Sequence, residues 1–255
     1  GYFAPIAADR YTPKSPTRLL DSRTPTGGWG APLVAGSPRA LQVRGMAGIP
    51  TGADAVILNV TVTGGSANSF LTAFPTGSAV PTASNLNFAA GQTVANLVMA
   101  KIGTGGQVSF ANAVGAVDVV VDVAGYFDVA AGALYHPLTP ARVLDSRTTV
   151  GGWNAKLAAG SPRSLAATAS GGVGAGATAV IANTTVTESS ANTFLTVLPS
   201  GPAVMTSASN LNFAAGQTTA NLVAATVGPA GGFTFRTAAG STHVVFDVAG
   251  YFAAT

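Results

Sequence analysis

The stretch Val56-Ile57-Leu58-Asn59-Val60-Thr61-Val62-Thr63 alternates with a period of two. In an extended chain Val56, Leu58, Val60 and Val62 share one face, and Asn59, Thr61 and Thr63 share the other. That is the pattern of a strand with one side in a core. Working outward, Phe70-Leu-Thr-Ala-Phe74, Val94 to Ala100, Gln107 to Ala111 and Val119 to Val123 read as further strands, separated by Gly, Pro, Asn or Ser. No sustained helical stripe interrupts them.

The whole pattern then occurs a second time. Arg142-Val-Leu-Asp-Ser-Arg147 repeats Arg18-Leu-Leu-Asp-Ser-Arg23, and Gly151-Gly152-Trp153 repeats Gly27-Gly28-Trp29. Ser209-Asn-Leu-Asn-Phe213 repeats Ser84-Asn-Leu-Asn-Phe88, and Asp247-Val-Ala-Gly-Tyr-Phe252 repeats Asp122-Val-Ala-Gly-Tyr-Phe127. The polar strand face recurs as Asn183, Thr185 and Thr187. Each unit has the length of an ordinary domain. About eight short strands per unit predict an all-β chain of two tandem antiparallel β-sandwich domains, Greek-key or jelly-roll-like, over 1–130 and 131–255. A closed barrel is the alternative. Gly1-Tyr2-Phe3 stands in register with the Gly-Tyr-Phe that closes each unit, so residues 1–3 are expected to be the end of a preceding copy. The linker, Asp128 to about Leu134, is short enough to restrict the mutual orientation of the two units.

These motifs resemble a repeat module of secreted and cell-surface proteins of actinobacteria and acidobacteria. The matching elements are Arg18 to Arg23, Leu58 to Thr61, Ser84 to Phe88 and Asp122 to Phe127; the second copy departs at Ala182-Asn183-Thr184-Thr185. The resemblance implies secretion or surface display and modular attachment to other domains of a parent protein. It implies no activity.

Composition narrows the function classes. Only 8% of the 255 residues are charged and the net charge is +3. Lys14, Lys101 and Lys156 lie far apart, so there is no basic stripe for nucleic acid. Mean hydropathy is +0.41, yet the apolar runs are too short to cross a bilayer, and no membrane insertion is expected. The absence of cysteine excludes disulfides, thiol catalysis and thiolate zinc sites. Calcium would need an acidic loop, and none exists; backbone carbonyls with Asp21 are the remaining possibility. No metal or cofactor is therefore expected.

Catalytic groups are equally scarce. His136 and His243 stand where the other copy has Thr12 and Asp118, and Glu188 where it has Gly64. No acid–base pair recurs except Asp21 and Asp122 with their counterparts, and arginine-paired carboxylates make poor acids. The chain reads as no enzyme.

The charges that do recur are Arg18/Arg142, Asp21/Asp145, Arg23/Arg147, Arg39/Arg163 and Asp122/Asp247. Asp122 interrupts a valine run, so it needs a cationic partner, with Arg18 or Arg23 the candidates. The arrangement is either a buried ion pair tying first strand to last or a ligand-facing cluster. Trp29 and Trp153 follow Gly-Gly in loops: each is either an exposed plate for a sugar ring or a plug over the sandwich end. The candidate ligand-binding residues are Trp29, Asp21 and Arg23 in one copy, and Trp153, Asp145 and Arg147 in the other. The recurring asparagines Asn59, Asn68, Asn85, Asn87 and Asn96 fit structural roles better than a sugar-binding row. These residues lead to the expectation of a non-catalytic, extracellular or cell-surface, lectin-like module binding polysaccharide or cell-wall glycan. The alternative is a structural spacer or assembly module of a surface protein or fibre.

Overall fold

The computed structural model describes residues 9–167, 171–201 and 208–254. Gly1-Tyr2-Phe3 lies outside them. The first repeat runs β1 (Arg10–Asp21), β2 (Leu33–Val34), β3 (Arg39–Gln42), β4 (Ala55–Thr63), β5 (Ser69–Pro75), β6 (Leu86–Phe88), β7 (Val94–Lys101), β8 (Gln107–Asn112) and β9 (Ala116–Asp128). The second runs β10 (Leu134–Asp145), β11 (Leu157–Ala158), β12 (Arg163–Ala166), β13 (Ala177–Thr187), β14 (Thr193–Pro199), β15 (Leu211–Phe213), β16 (Thr219–Thr226), β17 (Gly232–Thr237) and β18 (Ser241–Ala253).

In the first repeat one sheet has the order β1-β9-β4-β7, with β2 beside β9, and the other has the order β3-β8-β5-β6. The second repeat has the same orders, β10-β18-β13-β16 with β11, and β12-β17-β14-β15. Among the described residues every ladder between these strands is antiparallel and joins strands of one repeat. Apart from the β5-β6 and β14-β15 hairpins and the short β2 and β11, successive strands cross between the two sheets, which is jelly-roll connectivity. The sheets stay open, so each repeat is a sandwich and not a barrel.

The period-two reading of β4 explains the core. Val56, Leu58, Val60 and Val62 are fully buried between the sheets, with Leu41, Leu71, Val108, Phe110 and Val121. A matching core in the second repeat gathers around Val180, Leu195, Phe235 and Phe246. Burial of such aliphatic and aromatic side chains, worth roughly 1.5–3 kcal/mol each, is what holds the layers together.

The closing Gly-Tyr-Phe motif has a steric reason. Tyr11 lies across β9 and donates its hydroxyl to the Ala124 carbonyl at 2.8 Å. A Cβ on Gly125 would sit 2.3 Å from that hydroxyl oxygen, and one on Gly250 would sit 2.3 Å from the Tyr135 hydroxyl. Only glycine leaves room for the ring.

The polar face of β4 is not solvated. Ile57, Asn59 and Thr61 are 0%, 2% and 5% exposed because the second repeat lies over them. An apolar cluster at the junction joins Tyr11, Ile57, Ala124, Phe127 and Ala133 to Ala179, Ala224 and Phe252. The Tyr11 and Phe252 rings are 4.3 Å apart there. Strands β15 and β16 lie against β7, and β16 also reaches β1 and β9.

Candidate functional site

Pairing register aligns one rung of side chains across the sheet. Arg18 is opposite Asp122, Asp122 opposite Asn59, and Asn59 opposite Leu97. The second repeat builds the same rung from Arg142, Asp247, Asn183 and Leu222. On the first rung Arg18 forks onto Asp122, with Nε to Oδ1 at 2.7 Å and Nη2 to Oδ2 at 3.2 Å. Of the two candidate arginines, Arg18 is therefore the partner of Asp122, and the pair ties β1 to β9. Burial pushes the Asp122 carboxyl up, opposed by the Arg18 hydrogen bonds.

Arg23 has a different role. It binds Asp21 through Nε at 2.8 Å, Nη2 at 2.7 Å and its own backbone N–H at 3.2 Å. Arg147 does the same to Asp145 at 2.8, 2.7 and 3.1 Å. The Arg147 hydrogen bonds hold the Asp145 carboxyl down to about 2, and those of Arg23 lower Asp21 likewise. Both acids are clamped to their own turns, with the arginines exposed at the rim.

Trp29 and Trp153 are 8% and 3% exposed. Of the two placements open from the sequence, the structure has the plug. Gly27 and Gly28 both adopt positive φ, 77° and 79°, and a Cβ on Gly27 would meet the Leu19 carbonyl at 2.5 Å. Two glycines thus make the turn that folds the indole back over the sandwich. The Trp29 indole donates to the Ala40 carbonyl at 3.0 Å and meets Phe110 edge-on, 6.0 Å between centroids. Arg39 covers it at 4.7 Å. Trp153 repeats this with Ser164, Phe235 and Arg163, the guanidinium at 4.5 Å. The expectation of an exposed stacking plate is therefore corrected. Among the described residues no hydrogen bond or ring contact links either tryptophan to the neighbouring Asp–Arg clamp. The recurrence of Arg39/Arg163 follows from these cation–π lids.

Most recurring asparagines brace turns. Asn68 and Asn85 accept the Ala90 and Ala73 N–H groups at 2.9 and 2.7 Å; Asn192 and Asn210 do the same for Ala215 and Val197. In the second repeat Ser146 Oγ lies 2.9 Å from His243 Nδ1, and His243 Nε2 is 3.9 Å from Glu188. This is not a poised nucleophile. Ser146 is fully buried and accepts the Val244 N–H, and its counterpart Ser22 accepts the Val119 N–H while donating to Asp118. The serine is a clip at the end of the first strand in both copies.

The feature the sequence reading missed is the seam between repeats. Asn59 donates to the Ser209 carbonyl and accepts from Asn221 Nδ2 at 3.0 Å. Asn221 Oδ1 in turn accepts the Leu97 N–H at 3.2 Å. Asp122 Oδ2 accepts the Ser209 N–H at 3.4 Å, Asn212 reaches Thr61 at 3.4 Å, and Thr226 donates to the Lys14 carbonyl at 3.0 Å. The signal available in sequence was chemical asymmetry: Met99 and Lys101 stand where the second copy has Ala224 and Thr226.

Compared with known protein families, curated proteins and solved structures, the chain matches none. Among the described residues no helix is long and apolar enough to cross a membrane, and no three of His, Asp and Glu gather as a metal would require.

Proposed function

We propose that this chain is a non-catalytic structural module, holding its repeats at a fixed spacing and orientation within a surface protein or fibre outside the cell. The observation that carries the reading is the buried seam. It combines directional hydrogen bonds through Asn59, Asn221 and Asp122 with an aromatic cluster at Tyr11 and Phe252. Each buried hydrogen bond contributes about 1 kcal/mol, and a misaligned seam leaves polar groups dry and unpaired at greater cost. Flexible beads on a string need no such seam. The resemblance of the Arg18–Arg23 and Asp122–Phe127 motifs to modules of secreted proteins favours the extracellular setting.

The lectin-like reading has lost its stacking surface, since both indoles lie under arginine lids. Pull-down on insoluble peptidoglycan, chitin and cellulose separates the two. The structural reading expects the chain to stay in the supernatant of all three. Retention on any of them, weakened by Arg23→Ala and Arg147→Ala, contradicts it and restores glycan binding at the Asp–Arg clamps.

A further inference from the structure

The hydrogen bonds of the seam between the repeats are not two-fold, although its apolar cluster gathers equivalent residues such as Phe127 and Phe252 from both. The first repeat contributes its sheet face, with Asn59, Thr61 and Asp122; the second contributes an edge, with Ser209, Asn212 and Asn221. Each repeat carries both surfaces, because the residues recur. One face and one edge are therefore left over. The spare face is the rung Arg142–Asp247–Asn183–Leu222. There Asn183 is exposed, Leu222 is 42% exposed and the Asp247 side chain 26%, against 2% for the Asp122 side chain. The spare edge is Ser84, Asn87, Asn96 and Met99, where Ser84 and Asn87 are exposed and Met99 is 50% exposed, against 3% for its counterpart Ala224. The polar parts of both remain accessible while the internal seam is made, whereas Ile181 and Phe252 on the second repeat are already packed within it.

We propose that the spare face of one chain binds the spare edge of a second copy, so that chains join head to tail through a copy of the internal seam's hydrogen bonds. This deepens the structural reading and rests on it. The chemistry is already present. Asp247 would accept the Ser84 N–H as Asp122 accepts that of Ser209. Asn183 would bridge the Ser84 carbonyl and Asn96 as Asn59 bridges Ser209 and Asn221, and the Leu222 N–H would go to Asn96 as that of Leu97 goes to Asn221. The departures fit as well. Met99, where Ala224 stands, is an unbranched and adaptable side chain placed to meet the exposed Leu222. Lys101 replaces Thr226 and keeps a donor for the Leu138 carbonyl, in the place of the Lys14 carbonyl. A contact whose two sides differ does not close on itself as a pair. It extends into a filament, or into a ring if the rotation per step closes.

The internal seam has a short linker, equivalent to a local concentration of about 1 mM, which a second chain lacks. Association should therefore rise with concentration. Sedimentation of the whole chain up to about 1 mM should show mass growing past the 25.0 kDa monomer. Asn183→Arg blocks the face and Met99→Glu blocks the edge, and each variant alone should stay monomeric. Mixed, they should form a one-to-one dimer and nothing larger, because one still owns a free edge and the other a free face. Circular dichroism melts matching the parent show that both variants are folded; if either melts early, Leu222→Asp and Asn87→Arg replace them. A parent monomeric throughout, a blocked variant that still associates, or a mixture that stays monomeric overturns the proposal. So does a chain that stays monomeric but binds a polysaccharide through Asn183. The pull-down reports on the structural reading separately, since it needs no association between chains.

Discussion

At the residue scale, equal sequence does not mean equal environment. Asp122 and Asp247 occupy the same register and fork onto equivalent arginines, with Nε to Oδ1 at 2.7 and 2.8 Å. Yet the side chains of the first pair, Arg18 and Asp122, are 19% and 2% exposed, and those of the second, Arg142 and Asp247, are 47% and 26%. The sequence suggests matched mutational costs; the seam breaks that symmetry. Asp122→Ala removes the fork that Arg18 makes and the acceptor of the Ser209 N–H at a largely dry position, and should cost about 3–5 kcal/mol. Asp247→Ala removes a solvent-screened pair and should cost about 1 kcal/mol or less. Urea denaturation of the two variants checks this, and equal losses would count against the burial of the first rung.

At the element scale, the strands were legible because alternation, turn residues and repetition agree. Phe70–Phe74, Val94–Ala100, Gln107–Ala111 and Val119–Val123 all lie within β5, β7, β8 and β9. What could not be read was the destination of the outward side chains. Asn59 and Thr61 alternate with valine as solvated positions do, and only a second body packed on the sheet distinguishes a polar seam from a wet surface. The Gly-Gly-Trp loop was ambiguous for a related reason: its two left-handed glycines decide which way the indole turns, and only at Gly27 is a side chain also excluded, by the Leu19 carbonyl. As a plug, Trp29 should behave as a core aromatic. Trp29→Ala should cost about 3–5 kcal/mol, and Trp153→Ala a similar amount, in thermal or chemical unfolding. A stability unchanged by either substitution would return the ring to the surface.

At the scale of the whole molecule, two sandwiches that each close their own ladders are joined by a wedge of polar and aromatic side chains. Domains linked by short segments move relative to one another unless their interface is well packed. Here the linker itself takes part: the Tyr11 N–H donates to the Ala133 carbonyl at 2.9 Å, and the Ala133 N–H returns to Tyr11 at 2.8 Å. With Asn59, Asn221 and Asp122 this fixes both translation and rotation. The central claim is thus that the two repeats form one rigid body. Backbone amide relaxation in the intact chain, at concentrations low enough to keep it monomeric, measures this directly. The account predicts one rotational correlation time shared by amides of both repeats, as for a single 25.0 kDa particle. In Asn59→Arg, which cannot seat against Asn221, the repeats should tumble faster and with different times. Two separate, shorter correlation times in the unmodified chain would contradict it.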